Sequence, residues 1–392
     1  MNIKIDKSSW KKVRLGDVAT EHSKRIGNPS ESGFERFVGN SNIGQWDFRV
    51  KNWDSTSSVT SAMKLFEPND YLLVRRSLYA SDFRERAPRA HFSGVCSGDI
   101  LTIRENPEFI ADGFLIGILN SPELWKYVVA NASGSITRRI KWKDLAHYEF
   151  LLPPLNQQKE LSSLLWSLDD EIYCKERVVI KLENAISVQF ENDILKFYDK
   201  HKMLSDALSG ISAGKSPNAQ SQPAKNNEKG VLKVSAVGNG VYIQEENKSL
   251  INESDFNPKF EVKVGFILVT RANANPSGIG RPCYVRETRE GLMLSDKTLR
   301  LIPNSTVVRD RFLFQSLRTK RYRKYIESVA GGTEAKNISQ ARLLKAPIIL
   351  PSLVEQSKIE KKLLQYDESI LDAKNCVIAV KELKKSIINQ VF

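Results

Sequence analysis

The chain has 392 residues but only four cysteines and four histidines. Cys96, Cys174, Cys283 and Cys376 are never spaced as CxxC, which speaks against a zinc site or a disulfide framework. A reduced, cytosolic compartment is the simplest expectation. His22, His91, His147 and His201 are scattered without ligand spacing, so no metal is expected. Long apolar runs are also missing. The stretch from Ala346 to Leu350 is among the longest, far too short for a membrane span. The N-terminal MNIKIDKSSWKK is polar and lacks the apolar region of a signal peptide.

Catalytic motifs are absent as well. The segment GISAGKS, Gly210 to Ser216, approaches the phosphate-binding GxxxxGK[ST] loop but is one residue short, with no strand expected before it. NPEF at 106–109 and NPKF at 257–260 approach the [DN]PP[YF] loop of amino-methyltransferases, yet both lack the second proline. No glycine-rich loop for S-adenosylmethionine stands ahead of them. Glu261-Val-Lys263 has the E-x-K spacing of metal-dependent nucleases, but its nearby upstream acid, Asp255, is too close for the usual strand-to-strand pair. The expectation is a chain that performs no chemistry and needs no cofactor.

What the sequence does contain is itself, twice. Residues 113–172 laid over 311–370 without a gap give sixteen identities in sixty positions. They include Phe114/Phe312, Tyr127/Tyr325, Gly134/Gly332, Ile140/Ile338, Pro153/Pro351, Gln158/Gln356, Asp169/Asp367 and Ile172/Ile370. A duplicated unit places two similar surfaces on one chain, which suits a ligand that itself has two halves.

The net charge of +13 is unevenly spread. It divides as +4 over 1–151, −3 over 152–200, +11 over 201–351 and +1 over 352–392. A basic surplus confined to two segments points to a polyanionic partner. On charge alone, a merely solvated surface remains the alternative.

The near-neutral segments read as long helices. Leu161, Leu165, Leu168, Ile172, Val179, Leu182, Ile186, Phe190 and Ile194 recur in steps of three and four, with a gap at Lys175. Ile359, Leu363, Tyr366, Ile370, Ala373, Val377, Val380, Ile387 and Val391 do the same, broken near Lys384. Some forty residues at 1.5 Å each would make a rod of roughly 60 Å. One apolar stripe does not stabilise a lone helix, so the candidate partner-binding residues are Leu161, Leu165, Leu168, Ile172, Ile359, Leu363, Tyr366 and Ile370. Antiparallel pairing of the two helices satisfies both stripes; packing of each stripe on its own domain is the alternative.

The remaining segments read as mixed α/β. Strands are expected at 70–75, 99–103, 265–271 and 297–301, with amphipathic helices at 113–130 and 311–330. Ser209 to Lys229 is rich in Ser, Asn, Gln, Pro and Ala and reads as a loop or linker. The fold class is thus α+β, two mixed domains joined by two long helices in an antiparallel coiled coil, with a pseudo-twofold repeat. The expected boundaries are 1–153 and 201–351 for the domains, 154–200 and 352–392 for the helices. The start of the second domain falls somewhere within 195–230.

Both repeats follow a buried-looking strand with an arginine-bearing loop. The first carries Arg75, Arg76, Arg84, Arg86 and Arg89 against Asp82 and Glu85; the second offers Arg271, Asn273, Asn275 and Arg281. Arginine engages guanine O6/N7 and asparagine engages adenine N6/N7, and both also bind phosphate. Small-residue turns follow, SGSITRRIK (133–141) and GGTEAKNIS (331–339), bringing Arg138, Arg139, Lys141 and Lys336. Mobile charged loops and plain structural turns are the alternatives. The basic run RTKRYRK (318–324) ranks lower, since on a helix it suits a solvated face.

The order of these pieces resembles the specificity subunit of type I restriction-modification enzymes. The matching parts are WKKVRLGDVA near the start, the strand–loop–strand units, and two runs entering long helices, LLPPLNQQKELSSLLWSLDDEI and ILPSLVEQSKIEKKLLQYDESI. MLSDALS (203–209) echoes VRLGDVA only loosely. The resemblance covers nearly the whole chain. It implies two target-recognition domains, each reading half of a split double-stranded DNA site, and a non-catalytic subunit in the cytoplasm. It also implies partners: two modification subunits supplying adenine methylation, and restriction subunits supplying ATP-driven translocation and cleavage. A coiled-coil adaptor whose end domains bind proteins explains the duplication but leaves the Arg/Asn loops and the basic surplus unexplained. An autonomous methyltransferase fits least.

Overall fold

In the computed structural model the described residues are 6–77, 83–134, 137–220, 222–225, 227–238, 240–273, 276–331 and 336–392. The chain divides into two compact units, Met1–Arg177 with Ala373–Phe392, and Val178–Asp372. The division falls inside the two long helices, Leu155–Leu195 and Leu353–Val391, so each unit holds one segment of each helix.

In the first unit the strand Ile100–Glu105 lies antiparallel between Ala19–Glu21 and Tyr71–Val74. A five-stranded sheet runs Arg25–Ile26, Met63–Phe66, Gly94–Cys96, Arg36–Val38, Asp54–Ser55. Lys11–Arg14 pairs with Glu149–Leu152, the strand that leads into the first long helix. The second unit repeats the central antiparallel strands and the pair that leads into a long helix. Thr298–Pro303 lies between Leu208–Ala213 and Ile267–Thr270, and His201–Met203 pairs with Pro347–Ile349. The four expected strands therefore form, each buried along at least half of its length as its Val, Leu and Ile content demands.

Two expectations are corrected. The helices expected at 113–130 and 311–330 are each broken in two: Leu115–Leu119 with Pro122–Asn131, and Asp310–Ser316 with Lys320–Val329. The breaks are at the same repeat position, where Ser121 accepts from the Leu124 amide and Thr319 from the Tyr322 amide. Such N-caps restart a helix, and Pro122 removes an amide as well. Secondly, Ser209–Ala213 is not linker but part of a strand, with Ile211 paired to Leu301 and packed on the core. Small alternating residues on a sheet edge carry the composition of a loop without being one.

The beginning of each long helix is pinned by a buried glutamine. Gln158 accepts from the Ala111 amide and donates to the Phe109 and Pro153 carbonyls at 2.8–3.1 Å. Gln356, one repeat later, accepts from the Arg309 amide and donates to the Val307 and Pro351 carbonyls at 2.8–2.9 Å. Gln158/Gln356 is among the sequence identities because all three bonds are made twice.

The helices run antiparallel within each unit. In the first, Lys384 bonds Asp169 at 2.9 Å and Lys381 bonds Glu176 at 2.7 Å, the partner number falling as the other rises. In the second, Lys362 bonds Asp193 at 2.9 Å, while Ile186, Phe190 and Ile194 share a core with Ile370, Leu363 and Ile359. The stripes also enter the domain cores. Leu161, Leu165 and Leu168 pack with Phe114, Trp125, Ile387 and Val391. Leu165, Ile172, Ile359, Leu363 and Ile370 are buried and Leu161, Leu168 and Tyr366 half-buried, so these residues are consumed within their own units.

The break in the second stripe has a cause. Lys384 is only 3% exposed, with its ammonium on Asp169, on the Trp46 carbonyl at 3.1 Å, and 3.8 Å over the Phe48 ring. Burial pulls the ammonium below the usual lysine range against the attraction of Asp169. Arg49 pairs with the same carboxylate at 2.9 Å. Removing one member of such a pair strands a buried charge, so Lys384→Ala should lower stability by about 3 kcal/mol. Lys384→Met with Asp169→Leu should recover most of that loss. Denaturant unfolding of the full-length variants is the check, and equal losses in the single and double variants would refute a coupled pair.

Candidate nucleic-acid interface

Beyond the buried strand Tyr71–Val74 the chain continues as Arg76–Ser77, which pairs with Arg138–Arg139. Arg75 joins the two sides: its amide donates to the Asp99 carbonyl at 3.0 Å and its carbonyl accepts from the Ile140 amide at 3.0 Å. The turn between Ser133 and Arg139 is closed by two backbone bonds of 2.9–3.0 Å. Gly134 sits at φ +130°, where a Cβ would lie 2.1 Å from the Thr137 carbonyl oxygen. Only glycine fits there.

Asp99 bridges the two strands of this pair. Its carboxylate takes one 2.8 Å bond from Arg76 Nη1 and another from Arg139 Nε. Burial opposes its ionisation, but the bonds from Arg139 and Arg76 outweigh that and hold the carboxyl below the usual carboxylate range. Arg139 Nη1 also donates to Thr137 Oγ1 at 3.2 Å. Arg138 donates twice to the Ala132 carbonyl, at 2.7 and 3.2 Å.

The second unit builds the same frame with other side chains. Ala272–Asn273 pairs with Lys336–Asn337, Arg271 donates its amide to the Lys297 carbonyl at 2.8 Å, and Ile338 donates its amide to the Arg271 carbonyl at 3.0 Å. Lys297 therefore stands where Asp99 stands in the first unit. Arg281 Nε donates to the Ser277 carbonyl at 3.0 Å, and Tyr322 and Arg323 hold the carbonyls of Gly280 and Ile279 from the neighbouring helix. Asn273 packs on Gly278, which has no room for a Cβ.

The candidate residues thus separate. Arg75, Arg76, Arg138 and Arg139 come together on one strand pair, and Arg271 and Asn273 on its counterpart, with the backbone of Lys336 opposite Asn273. Arg75 Nε is buried with no hydrogen-bond partner among the described residues. Arg84 and Lys141 are exposed and Arg86 half-buried. Arg89 departs from the expected loop role: its guanidinium pairs with Asp112, reaches Glu105 at 3.4 Å and lies over the Tyr71 ring. That arginine is occupied internally. Asn275 lies outside the described residues. Sequence reasoning missed Asp99 and Lys297, whose signal was visible: they stand one repeat apart with opposite charge.

Among the described residues no group of three or more His, Cys, Asp or Glu is placed to hold a metal, and no helix is long and apolar enough to cross a membrane. Burial pushes the Cys96 and Cys283 thiols up to about 12, so neither is a thiolate at neutral pH.

Residues 206–379 match the family described as the type I restriction modification DNA specificity domain. The chain is 36% identical over 159 residues to the specificity subunit of the type I restriction enzyme EcoEI of Escherichia coli, covering 40% of this chain and 27% of that relative. It is 23% identical over 314 residues to the specificity subunit of the type I restriction enzyme MjaVIII of Methanocaldococcus jannaschii, covering 76% and 73%. The chain thus spans about a quarter of the first relative's length and nearly three quarters of the second's. Among solved structures, the S subunit of a type I restriction-modification system from M. genitalium is 14% identical, with a TM-score of 0.49 over 100% of this chain and 98% of that one. That family match covers somewhat less than half of this chain and lies over the second copy of the unit that the chain carries twice.

Proposed function

We propose that this chain is the non-catalytic, DNA-reading subunit of a type I restriction-modification system, and that each unit reads one half of a bipartite site. The observation that carries this reading is the pair of equivalent two-stranded ladders, Arg76–Ser77 with Arg138–Arg139 and Ala272–Asn273 with Lys336–Asn337, on one repeated scaffold with different side chains. Equal frames with unequal side chains suit two half-sites of unequal sequence. The basic surplus of the two domains supports the same ligand. Two modification subunits and the restriction subunits are the proposed partners, adenine methylation and ATP-driven cleavage being theirs. Ile180, Val188 and Leu371 in one unit and Ile378 in the other are exposed apolar residues on the long helices, which supports docking of the modification subunits there. The paired helices are proposed to set the distance between half-sites.

Binding should be salt-dependent, with a log–log slope near −0.9 for each phosphate contacted. A flat response between low and moderate salt would remove DNA as the ligand. Gly134→Ala should displace the Arg138–Arg139 strand, shown by faster amide exchange at Arg139 and Ile140, and should weaken one half-site only. Unchanged exchange with unchanged binding would exclude that turn from the interface.

Replacing residues 201–351 by the matching segment of a relative should change one half of the recognised sequence and leave the other intact. Inserting one heptad into a long helix keeps its stripe in phase and adds about 10 Å, near three base pairs of spacer. Methylome sequencing of a host carrying each variant with its modification subunit reads both outcomes. An active insertion variant that keeps the original spacer would reduce the helices to a mere connection.

A further inference from the structure

Asp99 and Lys297 occupy one position in two copies of the same backbone frame, each accepting the amide of the arginine that follows the buried strand. Their surroundings differ in step. Facing Asp99 are Arg76 and Arg139; the corresponding residues of the second unit are Ala272 and Asn337. A carboxylate with two guanidiniums in one copy therefore becomes a cation with an alanine and an asparagine at the matching positions of the other.

The geometry around Asp99 is that of an orienting group. Its side chain is 17% exposed, while those of Arg76 and Arg139 are 37% and 41% exposed. Each arginine gives the carboxylate one N–H at 2.8 Å, from Nη1 in Arg76 and from Nε in Arg139. Arg139 gives one more to Thr137. A guanidinium has five N–H donors in a rigid plane. The Nη2 groups of both arginines have no acceptor among the described residues, while each guanidinium is tied to the Asp99 carboxylate. That arrangement prepares the remaining donors for an acceptor pair in one plane. Guanine offers such a pair, O6 and N7, in the major groove. At the matching positions the second unit has Ala272 and Asn337 in place of the two arginines, and Lys297 is exposed, a point charge suited to a phosphate oxygen.

We propose that Asp99 is a positioning residue that makes the first unit select guanine through Arg76 and Arg139, and that Lys297 leaves the second unit without that selection. The proposal rests on the DNA-reading function above and goes further by naming the base class and the residue that enforces it. It also separates orientation from charge. Removing the carboxylate adds one positive charge to the surface, so attraction to phosphates rises while orientation of the arginines is lost.

The test is selection of randomised duplexes by the full-length chain, comparing wild type with Asp99→Asn, Asp99→Glu and Lys297→Ala. Wild type should enrich two half-sites, one containing a strongly preferred guanine. Asp99→Asn should reduce that preference by about tenfold, leave the other half-site unchanged, and bind random-sequence DNA more tightly with a steeper salt slope. Asp99→Glu should restore part of the preference. Lys297→Ala should weaken all sequences alike without changing base choice. Asp99→Asn with unaltered guanine preference, or with equal loss in both half-sites, overturns the proposal. Failure of wild type to enrich any sequence overturns the DNA reading instead, so the two failures are distinguishable.

Discussion

An amphipathic helix of about forty residues exposes a strip of leucine and isoleucine to water, each side chain worth roughly 1.5–3 kcal/mol if buried. This chain has two such helices, Leu155–Leu195 and Leu353–Val391. Burying both strips organises both units. Within each unit a segment of one helix lies antiparallel to a segment of the other, and the strips continue into the core of the attached domain. Leu165 shares a cluster with Phe114 and Val391, and Phe190 stacks edge-on to Phe312 with ring centres 5.1 Å apart. The helix segments are therefore part of each folded unit and not appendages to it. Where the strip admits a charge, at Lys384, the cost is met by Asp169 and the Trp46 carbonyl. A buried polar pair of this type favours one register over its neighbours.

The repeat keeps the bonds that hold the frame and varies what the frame presents. Tyr127 donates to the Asp144 carbonyl at 2.9 Å and Tyr325 to the Arg342 carbonyl at 2.8 Å. Gln158 and Gln356 make matching sets of three bonds, and Ile140 and Ile338 are both fully buried. Asp169 and Asp367 each receive two cations, but from different sources: Lys384 and Arg49 for the first, Arg286 and Arg311 for the second. The tyrosines and glutamines, whose partners are backbone groups, recur with the same partners because the backbone frame recurs. The aspartates, whose partners are other side chains, recur with different ones.

Counting basic residues overstates the surface available to a polyanion. Arg89 is consumed by Asp112 and Glu105, Arg138 by a helix-end carbonyl, and Arg323 by the Ile279 carbonyl and Glu327. Arginine serves the interior of the frame as much as its face, since one planar group can satisfy several carbonyls and carboxylates at once. What distinguishes a reading arginine from a building one is not its place in a loop but the acceptors within reach of it.

By itself the sequence determined the duplication, the four buried strands and the two long helices, because each rests on periodicity or a constant offset. Those are local signals, and a strand of Leu and Val or a stripe at steps of three and four has few other ways to be buried. The tertiary structure alone decided which charged residues face each other. Asp99 and Arg139 are forty residues apart, and Asp169 and Lys384 more than two hundred, so no spacing rule joins them. It also decided that Ser209–Ala213 is a strand, since a sheet edge holds small residues through its neighbour's backbone and not through their own side chains. Hydrophobic periodicity is written along the chain; the pairing of charges exists only after folding has brought distant segments together.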